Sequence, residues 1–161
     1  MNSFSRSFVA VCAVASLLVA GAGVSPVSAK TVNGCVIKAK TKCVKADLKG
    51  ANLKGANLKG AKLNGVSSGG ITGTPQSLPA GWILQGGHLI GPGANLTDSG
   101  LTGADLTGAD LPGVNLTNTL LGQANLTNAT LDSANLAGAE LIGVTWSNTT
   151  CPDGTVTNTG C

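Results

Sequence analysis

General acid–base or nucleophilic chemistry needs a histidine, cysteine or carboxylate held beside a second polar group, and this chain offers few candidates. Its single histidine, His88, has no charged residue within five positions on either side. The nearest thing to a carboxylate pair is Asp105 with Asp110, five residues apart. Zinc sites draw four ligands from closely spaced cysteines and histidines, whereas Cys151 and Cys161 stand ten apart with no histidine nearby. Glycine spacings of the GxGxxG kind lack the strand before and the helix after that a dinucleotide fold requires. Asn-X-Thr triplets at 95, 115, 125, 128 and 148 match the glycosylation acceptor pattern, but most of them fall out of the chain's own periodicity. No catalytic residue, metal site or cofactor is expected.

Cysteines and lysines carry more information. Beyond residue 29 the chain holds four cysteines, Cys35, Cys43, Cys151 and Cys161, which allow three disulfide connectivities. All nine lysines lie between Lys30 and Lys62 against one acid, Asp47, while from Leu63 onward there are six acids and no lysine or arginine. A folded chain so divided is a dipole, basic at its start.

The first residues read as a leader. Arg6 and the amino terminus are positive, Val9 to Val24 is apolar, and Val27, Ser28 and Ala29 are the small residues a signal peptidase cuts after. Residues 1–29 are therefore expected to be a secretory signal peptide. A membrane helix needs about 20 consecutive apolar residues, so no transmembrane segment is expected in the mature chain. The remainder contains two tryptophans and no tyrosine, and both phenylalanines precede residue 30. Its interior must be built from Leu, Ala, Val and Gly, hence narrow and regular.

A period of five supplies that regularity. Central leucines recur at Leu48, Leu53, Leu58 and Leu63, each with alanine two places earlier, and again from Leu96 through Leu141 to Trp146. Five matches neither the helical 3.6 nor the strand alternation of two. Gly, Asn or Asp two places after most central leucines suits a corner with positive φ. Each unit thus predicts a short extended side plus a turn, winding a coil whose central and minus-two residues point inward. Neither a single coil nor a single unit can bury its own leucines, so stability comes from neighbours.

ADLKGANLKGANLKG and GLTGADLTGADLPGVNLTN resemble the pentapeptide repeat family, over residues 46–70 and 84–150. The resemblance implies an all-β fold, a right-handed quadrilateral β-helix. Four sides of five residues make a coil of twenty, so roughly 92 repeat residues give between four and five coils, a stack about 20 Å long. The cysteine pairs then flank opposite ends of the stack, and a disulfide needs α-carbons within about 7 Å. Cys35 is expected with Cys43 and Cys151 with Cys161, closing both ends. TWSNTTCPDGT, residues 145–155, also resembles the closing segment of secreted bacterial members.

Leu63 and Leu96 are 33 apart, which breaks the register. The expected organisation is an N-terminal cap over 30–45, a first block over 46–70, a loop excursion over 71–83, a second block over 84–150 and a C-terminal cap over 151–161. Trp82, Leu78 and Ile83 are expected to pin the excursion to the coil wall. Asn95, Asn115 and Asn135, twenty apart, are expected to stack as an outward ladder.

For function, the candidate anion-binding residues are Lys38, Lys40, Lys42, Lys45, Lys49, Lys54 and Lys59, a ring around the basic end. Such a ring could hold anionic glycopolymer, phospholipid heads or nucleic acid, or be a solvated edge that blocks end-to-end stacking. The expected function is a non-enzymatic, exported structural or binding module of unknown partner, with an envelope component or another protein as candidates and no nucleic acid expected. The alternative, implied by the resemblance, is a DNA-mimicking protein acting on a topoisomerase. Mimicry of that kind calls for acidic faces along a long rod, which the basic start does not supply.

Overall fold

The computed structural model describes residues 30–161; the expected leader lies outside the described residues. Three short antiparallel hairpins punctuate the chain: β1 (Thr31–Val32) with β2 (Cys35–Val36), β3 (Ile83–Gln85) with β4 (His88–Ile90), and β5 (Thr149–Thr150) with β6 (Val156–Thr157). Between them the backbone winds in coils joined by parallel bridges. Four ladders start at Lys42, Asp47, Asn52 and Asn57 and pair with Lys62, Ser67, Thr72 and Ser77. Asn95, Asn115 and Asn135 lie on one ladder, as their spacing predicts.

One unit shows why five residues suffice. In Ala124–Asn128, the Ala124 N–H closes a turn onto Leu121 O at 2.9 Å, and the Asn125 N–H reaches back one coil to Ala104 O at 2.9 Å. Leu126 N–H and Asn128 N–H reach forward one coil, to Thr145 O at 2.9 Å and Ser147 O at 2.8 Å. The remaining donor, Thr127 N–H, is taken by the unit's own Asn125 Oδ1 at 3.0 Å. Every backbone donor is thereby satisfied, as a compact fold requires. The Asn or Asp before the central leucine is therefore a structural part of the turn. Corner residues adopt positive φ, and where glycine is missing Asp98, Asn118 and Asn128 do so instead, residue types that tolerate the left-handed region.

Inside, the central leucines Leu48, Leu53, Leu58, Leu96, Leu116 and Leu126 are fully enclosed. Alanine fits the minus-two place because coils approach at about 4.8 Å and leave little room beside leucine. Larger polar residues are also buried there, and the hydroxyls of two of them, Thr119 and Thr149, donate to Leu96 O at 2.8 Å and Leu126 O at 2.7 Å.

The organisation departs from the sequence expectation at three places. Cys43 occupies a central position with Thr41 at minus two, both buried, and Lys42 already pairs with Lys62. Coiling thus starts inside the expected cap of 30–45. At the other end Cys151 continues the central series five residues after Trp146, with Thr149 at minus two. Coiling continues into the expected cap of 151–161. In the middle, Thr72 and Ser77 remain on their ladders, so most of the expected excursion of 71–83 belongs to the coil. Ile71 fills a minus-two site, and Leu78 packs against the first core cluster.

The chain leaves the coil after Leu78 and forms the β3–β4 hairpin, in which Leu84 and Leu89 face each other as cross-strand partners. They do not open the second block on successive sides. Coiling resumes where Gly65 N–H meets Gly93 O at 2.6 Å and Asn95 pairs with Ser67. That pair is 28 residues apart instead of 20, so one coil carries the hairpin as an insertion. Ser68 Oγ accepts the Leu89 N–H at 2.8 Å, and the Ile71 N–H donates to Gly87 O at 3.0 Å. The Gln85 amide completes the junction, its oxygen accepting from Asp105 N–H at 2.7 Å and its nitrogen donating to Asp105 O at 2.9 Å. Trp82 packs against both core clusters and joins them.

Candidate functional site

Two clefts use the basic residues, and they divide the expected ring. Lys38 and Lys54 line a cleft of about 330 Å³ at the N-terminal end, together with Lys30, which the ring did not include. Lys49 lines a second cleft, of about 410 Å³, with Ser67, His88, Asn95 and Asp98 beside the hairpin. Lys40, Lys42, Lys45 and Lys59 line neither of these two clefts. Lys42 sits directly against Lys62 on the neighbouring coil, a like-charge pairing that concentrates positive potential there.

His88 is held by the scaffold. Its Nδ1 lies 3.2 Å from Ser68 O, and since a carbonyl only accepts, Nδ1 is the donor of that bond. Asp98, in the same cleft, accepts from Asn118 Nδ2 at 3.2 Å. The imidazole is thus oriented by a backbone carbonyl and no carboxylate is bonded to it in the way a general base is usually poised.

The acids are likewise engaged in turns. Asp105 and Asp110 belong to different ladders, paired with Asn125 and Thr130 respectively, so they do not form a carboxylate pair. The Thr107 hydroxyl at 2.6 Å, followed by the Thr107 N–H at 3.1 Å, holds Asp105 below the usual carboxylate range. Thr155 does the same for Asp153 near the C-terminal end, its hydroxyl at 2.7 Å and its N–H at 2.9 Å. Carboxylates so stabilised stay ionised, the opposite of what a general acid needs. Among the described residues no group of three or more His, Cys, Asp or Glu side chains could hold a metal ion.

Disulfides join Cys35 to Cys43 and Cys151 to Cys161, with α-carbons 5.2 and 5.5 Å apart. In each bridge one partner, Cys43 or Cys151, stands in the place of a central leucine. At the C-terminal end the tail folds back so that Gly160 lies against the Trp146 indole.

The coil geometry has a counterpart among known sequences. Eight copies of the pentapeptide repeat match residues 39–67, 92–113 and 109–145, together more than half of the chain. The chain belongs to the pentapeptide repeat family. Its fold is accordingly a right-handed β-helix solenoid, and proteins of the pentapeptide repeat family are typically non-enzymatic structural or protein-interaction modules. A solved structure to which this pentapeptide repeat chain is similar is HetL from the cyanobacterium Nostoc, a pentapeptide repeat protein involved in heterocyst differentiation regulation. The two are 25% identical with a TM-score of 0.31, over 74% of this chain and 63% of HetL. This chain therefore spans less than two thirds of HetL's length. No curated protein matches.

Proposed function

We propose that the protein is an exported, non-enzymatic rod, a quadrilateral β-helix with disulfide-closed ends, that serves as a structural or binding module in the cell envelope or outside the cell. The observation that carries this reading is the pair of bridges at the two ends of the coil, Cys35–Cys43 and Cys151–Cys161. Disulfides persist in oxidising compartments and are rare in the cytosol. Placing a half-cystine in the core of each end ties the terminal segment to the stack where a solenoid would otherwise expose leucines and unpaired strand edges.

Other features agree with it. The leader-like residues 1–29 fit export, and no helix among the described residues is long and apolar enough to cross a membrane. His88 and the acids Asp98, Asp105 and Asp153 are engaged in scaffold hydrogen bonds, which favours a binding role over catalysis.

The test is the intact mass of the protein from each compartment of its host under non-reducing conditions. A species beginning at Lys30, lighter than the reduced chain by the hydrogens of two disulfides and found outside the cytoplasm, supports the reading. A full-length, reduced species in the cytoplasm overturns it, and a topoisomerase supercoiling assay then becomes the relevant experiment.

A further inference from the structure

We propose that the N-terminal cleft is a binding site for a phosphate group carried on a small aliphatic or polyol body. The proposal deepens the binding-module reading and rests on it. Lys30, Lys38 and Lys54 line the cleft, and no carboxylate is among its lining residues. All three lysines are exposed, and their mutual repulsion has no counter-charge among the residues lining the cleft. A doubly charged phosphate monoester matches three ammonium groups better than a singly charged carboxylate does.

Neutral donors add to the cations. Asn52 Oδ1 accepts the Lys54 N–H at 3.0 Å. Asn57 Oδ1 accepts both the Lys59 N–H at 3.0 Å and the Ser77 hydroxyl at 2.7 Å. With both oxygens committed to turns, the Nδ2 groups are the parts of these amides left to meet a ligand, and they only donate. The cleft therefore offers cations and donors, the complement of a phosphate. Its apolar lining, Ile37, Ala39 and Ala56, suits the carbon body rather than the anion.

The frame is pre-formed. The Ile37 N–H bonds Lys30 O at 2.8 Å, Lys30 Nζ reaches Asn52 O at 3.5 Å, and the Cys35–Cys43 bridge closes the segment that carries Lys38. Two lysines thus come from the disulfide loop and its approach, and the third from the coil wall. A site assembled across a disulfide loop should depend on that bridge.

The experiment is calorimetric titration with glycerol 1-phosphate at low salt, comparing the wild-type protein with Lys54→Met and Lys62→Met, and each with vesicles of phosphatidylcholine carrying phosphatidic acid, whose headgroup is a phosphate monoester. Lys62 lies outside the cleft, and the Lys54 backbone bond to Asn52 is untouched by its own side chain, so both variants should keep the wild-type thermal transition. Expected are one site per chain for glycerol 1-phosphate, affinity falling with added salt, about a tenfold or greater loss in Lys54→Met, and less than about a twofold change in Lys62→Met. Vesicle binding that follows the same order identifies a lipid headgroup as the source, and soluble binding alone identifies a free phosphate ester. No soluble binding, or equal loss in both variants, overturns the cleft and leaves a diffuse basic surface. If that happens with protein shown by mass to be exported and doubly bridged, the exported-rod reading survives; if the protein is reduced and cytoplasmic, that reading fails first.

Discussion

Leu116→Ala tests whether stability comes from stacked layers. Leu116 is fully enclosed, and its ladder neighbours place Leu96 and Leu136 on the coils to either side. The substitution removes about three carbons, worth about 2.4 kcal/mol of transfer at ~0.8 kcal/mol each. Neighbouring backbones are tied by hydrogen bonds on both sides and cannot collapse into the space, so a cavity term brings the expected loss to about 3–4 kcal/mol. Leu141→Ala removes the same atoms from a half-buried residue near the C-terminal end of the stack. There about half the transfer term applies and no closed cavity forms, giving about 1 kcal/mol. Urea unfolding of the disulfide-intact protein measures both. Trp82 at the junction and Trp146 near the end report on separate regions by fluorescence, so loss of cooperativity would be seen as two midpoints. Equal losses in the two variants, or a loss below about 1 kcal/mol in Leu116→Ala, would refute the layer reasoning.

Three further outcomes are expected. Gly91→Ala should lower the melting temperature and perturb Trp82 emission, because a Cβ there would lie 2.5 Å from the indole, whereas Gly100→Ala, with nothing within 4 Å, should be neutral or stabilising by about 0.4–1 kcal/mol. Asp105 and Asp153 have depressed folded-state pKa values, so their contribution is present above the ordinary carboxylate pKa and is lost as pH falls through the folded one; Asp105→Asn with Asp153→Asn, which keeps an acceptor for each Thr, should flatten the acid limb of a melting-temperature profile. Replacing Cys151 and Cys161 by serine should destabilise the protein by about 2–3 kcal/mol, as expected for opening a loop of roughly ten residues, read as a lower urea midpoint with Trp146 more exposed.

Much of this architecture is legible in the sequence because the repeat is local: a leucine, its alanine and its corner residue specify one side and the next. What escaped was whatever filled a repeat position with an unusual residue. Leu78 lies three units beyond Leu63 in unbroken phase, but Ser68 and Gly73 interrupt the leucines between them, which disguises residues 71–77 as loop. Cys43 and Cys151 hide in the same way, since cysteine in an apolar place reads first as a cross-link. The Asn and Asp side chains were visible as an outward column, yet their bonds to the following N–H depend on turn geometry that spacing alone does not supply. The cleft was only half legible. Lysine five-residue spacing marks a basic end, but Lys30 joins Lys38 and Lys54 only through the β1–β2 hairpin, whose pairing is a matter of three dimensions.

The i to i+20 bonding has a genetic consequence. Because each coil exchanges hydrogen bonds only with the coils before and after it, loss of residues 115–134 would set Asn135 against Asn95 where Asn115 now sits, with every later side chain on its present face. A duplication of the same length would lengthen the rod as quietly. A slip of five residues would instead turn the whole downstream stack by one side, moving Glu140, Asp153 and the bridged C-terminal end together to new faces. Coding-sequence changes in units of sixty nucleotides are therefore the ones this protein can absorb between its two bridges, except at the hairpin coil, where the eight extra residues are held by Ser68, Gln85 and Trp82 and the reading frame of the faces has no slack.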